Sequence, residues 1–258
     1  IPEAGRTAKG TPVVNIIEKS PEEKISEIIP VKEFSDNEYL VMVTKNGVIK
    51  KTPASEYESI RKSGKIAITL KEGDELISIF KTTGNDNIFL ATRNGMAICF
   101  NENDARAVGR TASGVKAIDL ADGDYVVGAE PVREDSKVLL VTDGGYGKCT
   151  DLTSFRIQHR GGKGLKAYKI TEKTGNIIGI SMVNDSEELI MVTSEGVVIR
   201  IRIKDIATTT GRITQGVRLI NLNDGVIVVS MDKISAEDTV EEESEENNTE
   251  VTAETTEE

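Results

Sequence analysis

The chain has 258 residues, a formal net charge of -11, 4% aromatic residues, no Trp, one His and two Cys. That length suffices for a sizeable core, which must be built mainly from Val, Ile, Leu and Ala. Two cysteines and one histidine exclude a disulfide framework and a His-rich metal site, and no apolar run approaches the roughly 18 residues of a membrane span.

In chain order two kinds of segment alternate. The first is a short column, "KGTPVVNI" (Lys9 to Ile16), which returns as "SGKIAITL" (63–70), "SGVKAIDL" (113–120), "KGLKAYKI" (163–170) and "QGVRLINL" (215–222). Its glycines, Gly10, Gly64, Gly114, Gly164 and Gly216, stand 54, 50, 50 and 52 residues apart. After each Gly the fourth and sixth positions are apolar and the fifth is polar, the alternation of a strand with one buried face. The second kind is a hairpin, "YLVMVTKNGVIKKT" (39–52), repeated as "NIFLATRNGMAICF" (87–100), "KVLLVTDGGYGKCT" (137–150) and "ELIMVTSEGVVIRI" (188–201). Asn46-Gly47 and Asn94-Gly95 point to a type I′ turn, with φ > 0 at both central residues. A further strand follows each column ("ELISIF", "YVVGAE", "NIIGIS", "VIVVSM").

About four strands per 50 residues indicate an all-β fold of radial blades. The expected units lie near residues 1–20, 21–71, 72–121, 122–171 and 172–234, that is, part of one blade and then four whole ones. Residues 235–258 hold 11 Asp and Glu and no Lys or Arg; with so little apolar surface they read as a disordered acidic tail. Removing those 11 from 43 acidic residues leaves 32 against 32 Lys and Arg, so the body is neutral overall.

Its cations are nonetheless ordered. Arg6, Arg110, Arg160 and Arg212 stand four residues before a column Gly, with Arg61 and Lys62 near that place in the remaining copy. Lys65, Lys116, Lys166 and Arg218 stand one or two residues after it. At blade spacing these cations form a belt on one rim, suited to the phosphate backbone of bent double-stranded DNA. No aromatic residues interleave with them, which argues against single-strand binding.

Catalytic patterns are lacking. Gly161-Gly162-Lys163-Gly164 and Gly145-Tyr146-Gly147-Lys148 have neither the spacing nor the Ser or Thr of a P-loop, and His159 is the sole histidine around which a triad could form. Cys99 and Cys149 share a column with Lys51 and Arg200, as ordinary strand residues do. No cofactor is expected.

These features together resemble the C-terminal DNA-wrapping domain of bacterial DNA gyrase A, with the sister domain of topoisomerase IV a near relative. Gln158, His159, Arg160, Gly161, Gly162, Lys163 and Gly164 ("QHRGGKG") are similar to that family's basic, glycine-rich box; "NGVIKKT", "GGYGKCT" and "GRITQGVRLI" are of its later blades' kind. The resemblance implies a six-bladed β-pinwheel over residues 1–234 that wraps DNA. It further implies a cytoplasmic, ATP-dependent holoenzyme, assembled from the rest of gyrase A together with gyrase B, that introduces negative supercoils. It places the principal box in a first blade before Ile1, making residues 158–164 a secondary copy. His159 stands where the family has Arg or Lys. The catalytic tyrosine, metal site and ATPase belong elsewhere; none of Tyr39, Tyr57, Tyr125, Tyr146 or Tyr168 lies in the nucleophile's context. The competing expectation is a protein-interaction propeller whose basic columns only keep loops soluble.

Overall fold

The computed structural model describes residues 8–12, 15–18, 20, 22–23, 25, 27–31, 33–59 and 64–234. Arg6, Arg61, Lys62 and the acidic segment 235–258 lie outside the described residues.

Each hairpin forms where it was expected: β1 (Tyr39–Thr44) with β2 (Val48–Pro53), β4 (Asn87–Thr92) with β5 (Met96–Asn101), β8 (Lys137–Thr142) with β9 (Tyr146–Asp151), and β12 (Glu188–Thr193) with β13 (Val198–Arg202). The turns differ from type I′. Only the glycine has positive φ (Gly47 76°, Gly95 87°), while Asn46 and Asn94 do not, the pattern of a type I turn closed by a left-handed Gly. Threonine supplies the missing stabilisation. The amides of Gly47, Gly95, Gly145 and Gly196 donate to the carbonyls of Thr44, Thr92, Thr142 and Thr193. The same four hydroxyls accept from Val48, Met96, Tyr146 and Val197 at 3.1–3.2 Å.

The inner strands β3 (Leu76–Thr82), β7 (Val126–Pro131), β11 (Ile177–Val183) and β16 (Val228–Ile234) pair with the first strand of each hairpin. The resulting four antiparallel sheets stand radially, in the manner of a propeller. Because a middle sheet is covered on both sides, successive residues of one strand enter different cores. Ile88 and Leu90 of β4 join Val41, Val43 and Ile49 in one. Phe89 and Ala91 face Val138 and Leu140 of β8 in the next. Leu139 and Val141 of β8 meet Leu189 and Met191 in the third. A short 3-10 turn follows the second strand of each hairpin, at Ala54–Tyr57, Glu102–Asp104, Leu152–Ser154 and Ile203–Asp205.

The columns do not stay in their own repeat. The strand β6 (Val115–Lys116) pairs with β2, β10 (Leu165–Lys166) with β5, and β15 (Val217–Arg218) with β9, each reaching back one hairpin. The sheet built on β1 and β2 thus takes strands from residues 39–53, 76–82 and 115–116. Its membership crosses the boundary expected near 71, because the column follows the next hairpin in sequence but the outer edge it fits belongs to the previous one. Another short strand, β14 (Thr208–Thr209), runs parallel to β9. The fourth sheet, β13-β12-β16, carries three strands among the described residues. No strand forms among those of residues 8–20.

The column glycines make the exchange possible. At Gly114, Gly164 and Gly216, all with positive φ, an added Cβ would overlap the carbonyl oxygen of Ile49, Ala97 or Gly147 on the receiving strand; at Gly64, also at positive φ, it would meet open space. Gly164→Ala should therefore destabilise the protein by about 2–4 kcal/mol, combining left-handed strain with lost docking, and Gly64→Ala by only about 1 kcal/mol. Urea unfolding of the two variants measures the difference; equal losses would mean that backbone conformation alone requires these glycines.

Candidate nucleic-acid interface

The columns at Gly114, Gly164 and Gly216 are each preceded by a loop and followed by a tight dock. The segment before the loop runs beside a second hairpin strand, with Val108 donating to Lys51 O and Gln158 to Cys99 O. After the glycine, the amides of Ala117, Ala167 and Leu219 donate to the carbonyls of the turn residues Gly47, Gly95 and Gly145 at 2.7–2.8 Å. Three column loops are thereby held at equivalent places on three successive sheets.

The loops are also joined to one another. Amides of Thr69, Asp119 and Lys169, five residues past their column Gly, donate to Ala112, Gly162 and Thr214 carbonyls in the following loop, at 3.4, 2.9 and 3.0 Å. Gly161 N donates to Ala117 O. The belt is therefore a hydrogen-bonded ladder along the rim, and its cations are grouped across repeats instead of around one glycine. Arg160 Nη1 donates to Lys116 O at 2.9 Å, Arg212 Nη1 to Lys166 O at 3.4 Å, and Arg110 Nη1 to Ile66 O at 3.0 Å.

Lys163 and Lys166 are exposed, and their ammonium groups make no hydrogen bond or ion pair with the described residues. Lys116 is exposed but pairs with Asp119 at 2.8 Å. That bond, the Lys116 charge and nearby Lys163 hold the Asp119 carboxyl below its ordinary range. Arg218 is exposed and fixed, donating to the Tyr146 hydroxyl through Nε and Nη2 and to Asn221 Oδ1 at 2.9 Å. The Arg218 hydrogen bond, with help from Lys173, lowers the Tyr146 pKa. Lys65 is half-buried and turned inward, its Nζ donating to Glu56 O at 3.2 Å. His159 is almost wholly exposed, with Nδ1 3.3 Å from Asp104 Oδ2. Asp104 also receives Arg160 twice, Nε on its carbonyl at 2.8 Å and N on its carboxylate at 3.2 Å.

Two residues beneath the rim loops escaped the sequence reading. Lys50 and Lys148 occupy one hairpin position, three past the turn Gly, where Ile98 and Ile199 stand in the other copies. Both are buried. Lys50 Nζ donates to the carbonyls of Ala67 and Arg110, and Lys148 Nζ to Arg212 O at 2.5 Å and Thr214 Oγ1 at 3.1 Å. Each lysine thus ties a strand interior to the backbone of a belt arginine. A lysine at a core-facing position was the available signal. Burial first, and the adjacent Arg110 or Arg212 charge second, bring both ammonium groups down to about 8.

Burial raises the thiols of Cys99 and Cys149 to about 11, so they are poor nucleophiles. Among the described residues no group of His, Cys, Asp or Glu could hold a metal ion, and no helix is long and apolar enough to cross a membrane.

With this geometry in view, similarity to known proteins is specific. Residues 1–32, 38–83, 86–133, 136–184 and 187–235 match the family described as "DNA gyrase C-terminal domain, beta-propeller". The A subunit of the DNA gyrase of Halalkalibacterium halodurans is 56% identical over 238 residues, 92% of this chain and 28% of the relative. Among solved structures, the C-terminal domain of a DNA topoisomerase IV superposes with a TM-score of 0.82 at 30% identity, covering 88% of this chain and 71% of the other. A DNA gyrase A C-terminal domain gives 0.78 at 25% identity, covering 88% and 76%. The chain spans less than a third of the length of the curated relatives it matches, 26–29%.

The buried lysines carry a pH signature. Their folded pKa of about 8 lies below the ordinary lysine value of 10.5, so between those values the unfolded chain binds more protons and stability rises with pH. Below about 8 the ammonium is charged in both states and its desolvation opposes folding in full. Relative to Lys148→Met, wild-type stability in urea should gain on the order of 1–2 kcal/mol between pH 8 and 10; a pH-independent difference would reject a buried ammonium at this position.

Proposed function

This chain belongs to the DNA gyrase C-terminal domain family, and we propose that its rim binds and bends duplex DNA. The observation that carries this reading is the cross-linked rim ladder. It holds Lys116, Lys163, Lys166 and Arg218 on successive sheets, spaced by the fold and exposed. Such an array matches phosphates that recur along a curved duplex regardless of base sequence. Gln158 to Gly164 form the centre of this surface, with Gly161 and Gly162 allowing close backbone approach and His159 adding charge only when protonated. Lys65, Arg110, Arg160 and Arg212 belong to the same rim. Arg6, Arg61 and Lys62, at or near the corresponding repeat positions in sequence, lie outside the described residues. By family, the wrapped duplex is presented to a cytoplasmic holoenzyme containing the remainder of gyrase A and gyrase B, which introduces negative supercoils with ATP.

A charged belt predicts steep salt dependence, about 0.9 decades of affinity per decade of salt for each phosphate neutralised. Lys163→Gln with Lys166→Gln should lower the slope of log affinity against log salt by about 1.8. An unchanged slope would remove both from the contacts. Absence of salt-sensitive duplex retention by the wild type at low salt would favour a protein-interaction propeller.

Asp119 opposes this attraction, since its carboxylate occupies the Lys116 ammonium. Asp119→Asn should raise duplex affinity at low salt several-fold, with the gain shrinking as the Debye length falls from about 10 Å at 0.1 M to 3 Å at 1 M. A gain independent of salt would assign the effect to loop geometry instead of charge.

A further inference from the structure

The belt cations divide into two structural kinds. Arg110, Arg160 and Arg212 are only half-exposed, and each guanidinium is spent on the backbone of the preceding loop. The acceptors are Ile66, Lys116 and Lys166, in every case the second residue past the earlier column Gly. The arginines' own backbones are held as well. Lys50 takes the carbonyl of Arg110 and Lys148 that of Arg212. Where Ile98 replaces the buried lysine, Asp104 accepts the Arg160 amide and, through its carbonyl, the Arg160 Nε. Three repeats thus reach one outcome by two routes: an arginine with a fixed root and a head anchored on its neighbour.

Exposed Lys163 and Lys166 share none of these anchors, although a uniform phosphate-binding belt would present arginine and lysine alike. Resting on the duplex-binding reading above, we propose that Arg110, Arg160 and Arg212 are positioning residues. They staple successive rim loops and so set the arc along which Lys116, Lys163 and Lys166 meet phosphates. The guanidinium is needed for its geometry. Arg160 reaches Asp104 O and Lys116 O at once through separate nitrogens, a fork that a single ammonium on a flexible stem does not reproduce. Charge at these positions is secondary, since the hydrogen bonds of all three guanidinium groups go to neutral carbonyls; only Arg110 also has a carboxylate nearby, Glu56 Oε2 at 3.9 Å from its Nε.

The test compares wild type, Arg160→Gln/Arg212→Gln and Arg160→Lys/Arg212→Lys on a 40-base-pair duplex labelled at both ends. Salt slope and end-to-end energy transfer are read together, with circular dichroism confirming the fold. The staple reading expects the Gln pair to keep the salt slope within about 0.3 while the bend falls, and the Lys pair to restore the charge without restoring the bend. A slope reduced by about 1.8 in the Gln pair, recovered together with the bend by Lys, would make the arginines phosphate ligands and overturn the proposal. So would a wild-type bend in both variants. Should the Gln pair fail to fold, Arg160→Lys alone decides by amide hydrogen exchange without DNA. The Asp119 amide, bonded to Gly162 O across the same loops, should exchange at least several-fold faster, and unchanged exchange counts against the staple. Failure of the wild type to bind the duplex at low salt would instead sink the functional reading, leaving the exchange result to report on the staple separately.

Discussion

The architecture depends on one recurring contact: a turn glycine's carbonyl accepting the amide three residues beyond a column glycine, as Gly47 does from Ala117 and Gly95 from Ala167. Each contact joins segments roughly 70 residues apart and commits the next repeat's loop to the outer edge of the previous sheet. A plain propeller stacks blades face against face. Here each sheet is also laced to its neighbour by main-chain hydrogen bonds, so rotation between sheets is tied to the geometry of the rim. The close approach requires glycine at both partners, which is why the columns are punctuated by Gly at nearly constant spacing.

The interfaces between sheets are not chemically uniform. Between the first and second, Lys51 pairs with Glu102 at 3.2 Å in a site from which both side chains are almost excluded from water. The carboxylate is satisfied further by the Thr82 hydroxyl and the amides of Gly84 and Asp86, as a buried charge requires. At the next interface the equivalent strand position is Cys99, packed with Phe89 and Phe155, and at the third it is Cys149 beside Ile203 and Ile206. That fully buried ion pair distinguishes the first interface; the second carries half-exposed polar contacts instead, Arg93 with Asp143 at 4.0 Å and the Ser181 hydroxyl and Met182 amide donating to Glu130. Cys and Lys thus share one column because each suits the interface it faces.

The rim combines attraction for an anion with internal restraint. Lys50 and Lys148 place positive charge beneath the loops, where Coulomb interaction is less screened than at the surface, while Asp119 offsets charge above them. The belt cations, interchangeable in a count of charge, separate by surroundings: Lys116, Lys163, Lys166 and Arg218 are exposed, whereas Arg110, Arg160, Arg212 and Lys65 are half-buried on carbonyl acceptors. Bending a duplex through 40–90° costs on the order of 1–6 kcal/mol, so an arc whose cations are already spaced has an advantage over the same number of cations on mobile loops.

Much of this could be read from the chain alone. The four hairpins, the inner strands and the alternation of faces followed from Thr, Gly and apolar periodicity, because these encode local backbone geometry. The cation columns were visible for the same reason. What the sequence could not decide was partnership. Arg160 lies four residues before Gly164, but its guanidinium serves Lys116 in the preceding repeat, and Val115 and Lys116 complete a sheet whose hairpin ended at Pro53. The turn type also depended on more than the Asn-Gly pair, since the threonine hydroxyls stabilise a turn with a single left-handed residue. Lys50 and Lys148 had no assignable partner until the loops above them supplied carbonyls. Local propensity acts over a few residues, whereas which strand edge is vacant, and which carbonyl faces it, exists only once the sheets stand side by side.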